Sequence, residues 1–174
     1  MSFNYDLDFE QVNFRLQPEL YRTGIGEQGV LLVEPYKSEI LAFWGFKSEI
    51  IASESSEQIY QMFLEYLELE DFVGADMARK FLQMGFTRAK RYANNKSGKK
   101  YTDSNQQNNT HKQLAYPYSS GSMNKPNLVI EQQIDVLTSE KAKCAEIFRI
   151  KWSLAQNNQK YKELAQLHHD KYDK

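Results

Sequence analysis

The residues 77–101, MARKFLQMGFTRAKRYANNKSGKKY, hold eight basic side chains and no acid. Immediately upstream, residues 48–78 hold eight acids and no lysine or arginine: Glu49, Glu54, Glu57, Glu65, Glu68, Glu70, Asp71 and Asp76. Two readings of this charge step stand. In the first, two helices lie side by side with outer faces of opposite sign, which offset each other or are solvated. Exposed pairs of this kind contribute about 0–1 kcal/mol each. In the second, Arg88, Lys90, Arg91, Lys96, Lys99 and Lys100 project past the matched region and follow a phosphate backbone, with Tyr92 or Tyr101 stacked on a base. The overall pI of about 6.3 and the nearby acids weigh against a dedicated nucleic-acid binder.

Three other patterns have chemistry to offer. GIGEQG at residues 24–29 matches G-x-G-x-x-G, but a dinucleotide site needs a strand before the glycines and a helix after them. Here PELYRT precedes and the strand-like VLLVE follows, so a glycine-shaped turn is the expectation. His168, His169 and Asp170 invite a metal reading. Adjacent helical residues diverge by about 100°, so the two histidines do not share one ion. Three histidines and one cysteine make a poor zinc set. Cys144 falls beside Ile147 and Phe148 on an apolar face, which reads as a buried inert thiol rather than a nucleophile. No pair of carboxylates stands out as an acid and base, and no cofactor or small-molecule ligand is identified.

The elements that must position these groups are mainly helical. Residues 1–29 alternate aromatic and polar side chains without a steady period and read as an irregular arm that lays Phe3, Tyr5, Phe9, Phe14 and Tyr21 onto the body. Pro18 opens one short helical turn. Residues 30–34 read as a short strand, and residues 38–44 as a further strand or one or two helical turns. A helix follows with Ile59, Tyr60, Met62, Phe63, Tyr66 and Leu67 on one side and Glu57, Glu65 and Glu68 on the other. Its start is at Ser55, where Gln58 completes a capping box, or at Ser48 or Ser53. A second helix spans residues 73–93, with Arg79, Lys80, Lys90 and Arg91 on its polar arc. Gly85 inside it marks a close helix contact or a break. Residues 102–127 are rich in Asn, Gln, Ser and Thr and read as a flexible polar excursion. Two further helices are expected, from Thr138 or Ser139 to Asn157 and over residues 159–172.

The totals agree with a foldable chain of one domain spanning residues 1–174. Of 174 residues, 41% are hydrophobic and 13% aromatic, ample for a core. The net charge of −1 lets the whole-molecule field favour no partner. One cysteine permits no internal disulfide, the opening residues lack a signal peptide's features, and no apolar run reaches the roughly 20 residues of a membrane span. A cytoplasmic protein without a membrane partner is the expectation.

The stretches GEQGVLLVEPYKSEILAFWGFKSEIIASESSEQIYQMFLEYL and DFVGADMARKFLQMGFTRAKRYANNKSGKKY, and more weakly IFRIKW, resemble a conserved domain family of unknown function found in bacteria, phages and some fungi. The resemblance covers residues 3–101 and the final helices. Residues 102–127 depart from the shorter Pro/Gly-rich linker expected there. The resemblance implies a small intracellular protein and carries over no activity, cofactor or catalytic residue.

The expectation is therefore a mainly α domain with a central amphipathic helical hairpin, a C-terminal helical pair and a small extended or β N-terminal part. Its function reads as a non-enzymatic interaction module for a protein partner or a second copy of itself. The alternative is nucleic-acid binding through residues 88–101, and an enzyme with an unrecognised site is the third reading.

Overall fold

The computed structural model describes residues 2–94 and 139–173. They form a 3-10 turn at Pro18–Leu20 and five α-helices: α1 (Tyr36–Leu41), α2 (Glu49–Glu68), α3 (Phe72–Asn94), α4 (Glu140–Asn157) and α5 (Gln159–Tyr172). Among the described residues there is no strand. Residues 30–34, expected as a strand, run instead through turns closed by Val30 N–H to the Glu27 carbonyl and Leu32 N–H to the Gly29 carbonyl. Their buried side chains, Val30 and Val33, are three apart rather than two, so this apolar run never presents alternating faces.

α2 starts at Ser48, whose Oγ accepts from the Ile51 N–H at 3.2 Å. Ser55, the rival with a capping-box pattern, is buried, and its Oγ accepts from the Gly45 N–H. The helix ends in a Schellman motif. Glu70 N–H bonds the Leu67 carbonyl and Asp71 N–H the Tyr66 carbonyl, with Glu70 at φ 56° in the position that glycine usually holds. Asp71 then caps α3 by accepting from the Gly74 N–H at 3.0 Å. The Tyr66 ring lies against Gly74, and Phe46, just before α2, lies beside Tyr92. α2 and α3 therefore run side by side in opposite directions.

α3 is the axis of the molecule. It packs on α2 and α4, with lesser contacts to α1 and α5, and is buried on almost every side over its first half. Gly85 is a close contact and not a break. A Cβ there would overlap the buried Phe148 ring of α4, so only glycine lets the two helices come this near. α4 starts at Ser139, whose side chain accepts from the Ala142 N–H, and runs alongside α2 in the same direction. Lys143 pairs with Glu49 and Lys151 with Glu57, one step of eight residues on each helix. Glu140 Oε1 also takes the Glu49 N–H at the head of α2.

These pairs correct the expected charge match. Over its first half the polar arc of α3 does not face solvent opposite the acids of α2: Arg79 and Lys80 are buried, whereas Lys90 further along is exposed. α2 turns Glu49 and Glu57 toward α4 instead, while the inward polar groups of α3 meet the N-terminal arm. The arm covers that face with Phe3, Phe14 and Tyr21, all buried in the same core as Phe63, Phe81 and Phe148.

Candidate functional site

Asp76, Arg79 and Lys80 lie within little more than one turn of α3, and this spacing aims all three at the arm. Asp76 is fully buried. Its Oδ1 accepts from Tyr161 Oη at 2.7 Å and from Arg79 Nε at 2.8 Å, and its Oδ2 accepts from Tyr21 Oη. Lys80 Nζ lies 3.7 Å from Oδ2 and donates to the carbonyls of Thr23 and Gln28, both at 2.6 Å. It also lies over the rings of Phe3 and Tyr21, at 5.3 and 5.1 Å. Arg79 uses its other nitrogens on Gln83 Oε1 and the Gly26 carbonyl.

The electrostatics follow from this geometry. Burial pushes the Asp76 carboxyl up, but the charges of Arg79 and Lys80 and the Tyr21 hydroxyl outweigh it and hold the group at about 2. Burial pulls the Lys80 ammonium down to about 8 against the attraction of Asp76. Burial and the neighbouring Asp76 charge raise Tyr21 and Tyr161 well above the ordinary phenol range. A lysine with a lowered pKa is a nucleophile only if a substrate can reach it. Here Lys80 is wholly buried and its donors are already directed at two carbonyls and a carboxylate. Neither Asp76 nor Lys80 borders either of two surface grooves among the described residues, one of about 320 Å³ beside Thr23, Tyr161 and His169 and one of about 300 Å³ beside Tyr36, Phe72 and Leu167.

The glycine loop is the counterpart of this cluster. A phosphate cradle presents N–H groups. This loop turns the carbonyls of Thr23, Gly26 and Gln28 inward onto cations, while Gln28 Oε1 accepts the Ile25 N–H. Gly29 sits at φ +77°, and a Cβ there would overlap the Phe3 ring, so both conformation and space require glycine. The motif shapes a receptor for Lys80 and Arg79.

The far end of α3 is different. Arg88, Arg91 and Tyr92 share one face, as spacings of three and four dictate. The Arg88 guanidinium lies 6.0 Å from the Trp44 ring centroid, and Trp44 lies 5.4 Å from Phe46. Phe46 in turn lies 5.7 Å from Tyr92, and Lys141 Nζ sits 5.1 Å over Phe46. Trp44 is anchored from beneath by Nε1 donating to the Phe81 carbonyl at 3.0 Å. Phe43 and Tyr92 are 49% and 41% exposed. One carboxylate, Glu27, faces both Arg88 and Arg91; burial raises it, against the Thr87 hydroxyl and the two guanidiniums. Burial and the adjacent Arg88 charge lower Arg91.

The expected basic set therefore divides. Arg88, Arg91 and Tyr92 come together, whereas Lys90 points elsewhere, 5.5 Å over Phe86, which stacks on Trp152. Lys96, Lys99, Lys100 and Tyr101 lie outside the described residues, as does the polar excursion at 102–127. Sequence reading misses Trp44, Phe46 and Lys141. The one signal for them is FWGF at residues 43–46, a stretch too aromatic for an ordinary connection.

The remaining candidates are structural. His168 is buried among Tyr21, Phe72 and Tyr172, with Nε2 3.0 Å from the Tyr21 carbonyl, while His169 is exposed. Among the described residues no group of metal-ligating side chains forms. Cys144 is buried, and burial raises its thiol. Among the described residues no helix is long and apolar enough to cross a membrane.

No curated protein and no solved structure shows significant similarity to the chain. A family profile described as Domain of unknown function (DUF4385) matches residues 4–171. That match spans all five helices and both ends of α3, and the chain belongs to this family of unknown function.

Proposed function

We propose that this protein is a non-enzymatic interaction module whose contact face is the end of the molecule where residues 43–47, the end of α3 and the start of α4 meet. One observation carries the reading: rings and cations are concentrated there at the surface, with Phe43 and Tyr92 exposed and Arg88 and Lys141 laid over Trp44 and Phe46. Aromatic residues and arginine are the types enriched in contact faces, because they bury large area with little loss of side-chain freedom. The internal cluster around Asp76 supports the non-enzymatic part, since its polar groups are directed at one another. The test is capture from cell extract with the full chain, with and without nuclease, beside the double variant Arg88→Glu/Arg91→Glu checked for unchanged helicity. Loss of the captured material in the variant supports this face. Identical capture by both proteins refutes it.

The second reading is nucleic-acid binding through Arg88, Lys90, Arg91 and Tyr92, with Lys96, Lys99, Lys100 and Tyr101 as further members of the set. A specific observation favours it: among the described residues Arg88 and Arg91 share the one carboxylate of Glu27, which leaves an excess of positive charge among the described groups at this end of α3. Phosphate contacts give affinity that falls steeply as salt rises. A labelled oligonucleotide that fails to bind at about 50 mM salt removes this reading.

A further inference from the structure

We infer that the partner of the contact face proposed above is a second copy of this chain, joined head to tail, with Phe43 of one molecule entering the groove between the start of α3 and α5 of the next. This rests on the contact-face reading and names what docks there. The groove, of about 300 Å³, is lined by the apolar side chains of Pro18, Phe72, Val73, Leu164 and Leu167. Leu167 is 63% exposed, and so is 75% of Leu69, next in sequence to the lining residue Glu70. At the opposite end of α3, Phe43 is half-exposed and holds no ring or cation of its own among the described contacts. An exposed ring at one end and an open apolar groove at the other are complementary in kind.

The two ends also carry opposite charge. Glu65, Glu68 and Glu70 are exposed at the α2–α3 turn, and among the described residues no ion pair reaches them. Of the two cations that line the groove, Arg15 is held by both oxygens of Glu39, and Lys171 lies over the Tyr172 ring. Around Phe43 the balance is reversed. Arg88 and Lys141 lie over Trp44 and Phe46, and Lys47 and Lys90 are exposed. The acids there are engaged: Glu27 is bonded to Thr87, Glu49 pairs with Lys143, and Glu140 is turned onto the Glu49 backbone N–H. One molecule cannot match its own ends, because Phe72 and Arg88 stand about 24 Å apart along a single helix. A second copy supplies both complements at once, with basic end against acidic end. The two surfaces differ, so the contact is heterologous and every added copy leaves one head and one groove free.

Two variants each remove one end. Phe43→Ser/Arg88→Gln removes the head and keeps the groove, whereas Glu70→Gln/Leu167→Ser removes the groove and keeps the head. Sedimentation velocity is run on the full chain from about 10 µM to about 1 mM, the range for a small contact. The expected result is a mass that grows with concentration at about 50 mM salt and falls back at about 500 mM, where the attraction is screened. Each variant alone, with unchanged helicity, stays a monomer. Their equimolar mixture forms a dimer and grows no further, because one intact head meets one intact groove. A native chain that stays monomeric throughout overturns the inference. Loss of capture from extract in Arg88→Glu/Arg91→Glu then leaves the contact face standing with another partner, and unchanged capture removes that face as well. Self-association that survives in either variant, or variants that fail to pair, overturns the head-to-tail contact.

Discussion

The two ends of α3 use the same side-chain types for opposite purposes. Near its start, Arg79 and Lys80 are buried, and their donors meet carbonyls, an amide and Asp76. Near its end, Arg88 meets a ring, and Arg91 shares one carboxylate with it. The difference is set by what covers the helix. The first half receives three turned-in carbonyls and the Tyr21 phenol from the arm, and the Tyr161 phenol from α5. Nothing equivalent reaches the second half among the described residues. A cation inside such a shell orders the chain around it, whereas a cation left on rings at the surface is available to something else.

The largest effect that breaks this comparison is expected at Asp76. Asp76→Asn keeps the shape but leaves two buried cations facing no anion, and costs about 3–5 kcal/mol in chemical denaturation. A loss below about 1 kcal/mol contradicts the claim that this carboxylate holds the cluster together. Next comes Gly85→Ala. Its methyl must displace the buried Phe148 ring, and overpacking of that kind costs about 1–3 kcal/mol by the same measurement.

The acid limb of stability sharpens the picture further. Asp76 in the folded protein sits at about 2, below its ordinary value of 3.8, so the folded state resists protonation. Its contribution is full above about pH 4, is lost as pH falls toward 2, and amounts to about 2 kcal/mol. Denaturation midpoints measured between pH 5 and pH 2 should show this loss in the native chain and a smaller one in Asp76→Asn. An equal acid slope in both proteins assigns the effect to other carboxylates, such as Glu34 and Glu39, which are also held low.

The smallest effect has the opposite sign. Glu70 occupies a left-handed position that glycine takes without strain. Glu70→Gly should raise stability by about 0.5–1 kcal/mol in the same denaturation assay. A destabilised Glu70→Gly protein shows that the glutamate side chain contributes more than its backbone costs.

The helices are legible in the sequence because their evidence is local. Periodicity places α5 over residues 159–172 and α3 over 73–93, against observed bounds of Gln159–Tyr172 and Phe72–Asn94. Apolar side chains at helical spacing need no knowledge of the rest of the chain. The burial of Asp76, Arg79 and Lys80 is not legible, because their spacing is the same as that of a solvated ion pair on a helix face. What buries them is distant in sequence: Tyr21, the carbonyls of residues 23–28, and Tyr161. The candidate face is half legible for the same reason. Arg88, Arg91 and Tyr92 share a helix face by arithmetic, but Trp44, Phe46 and Lys141 join them only through the packing of α2 and α4 on α3.

The contrast between the two halves of α3 is tested most directly by amine labelling of the native protein at about pH 8, with each lysine followed by mass spectrometry. Lys80 should stay unlabelled until the protein unfolds. Lys90, exposed further along the same helix and outside the shell of carbonyls, should react at once. Labelling of Lys80 at the rate of Lys90 in the folded protein would contradict a closed cluster and return this lysine to the list of reactive groups.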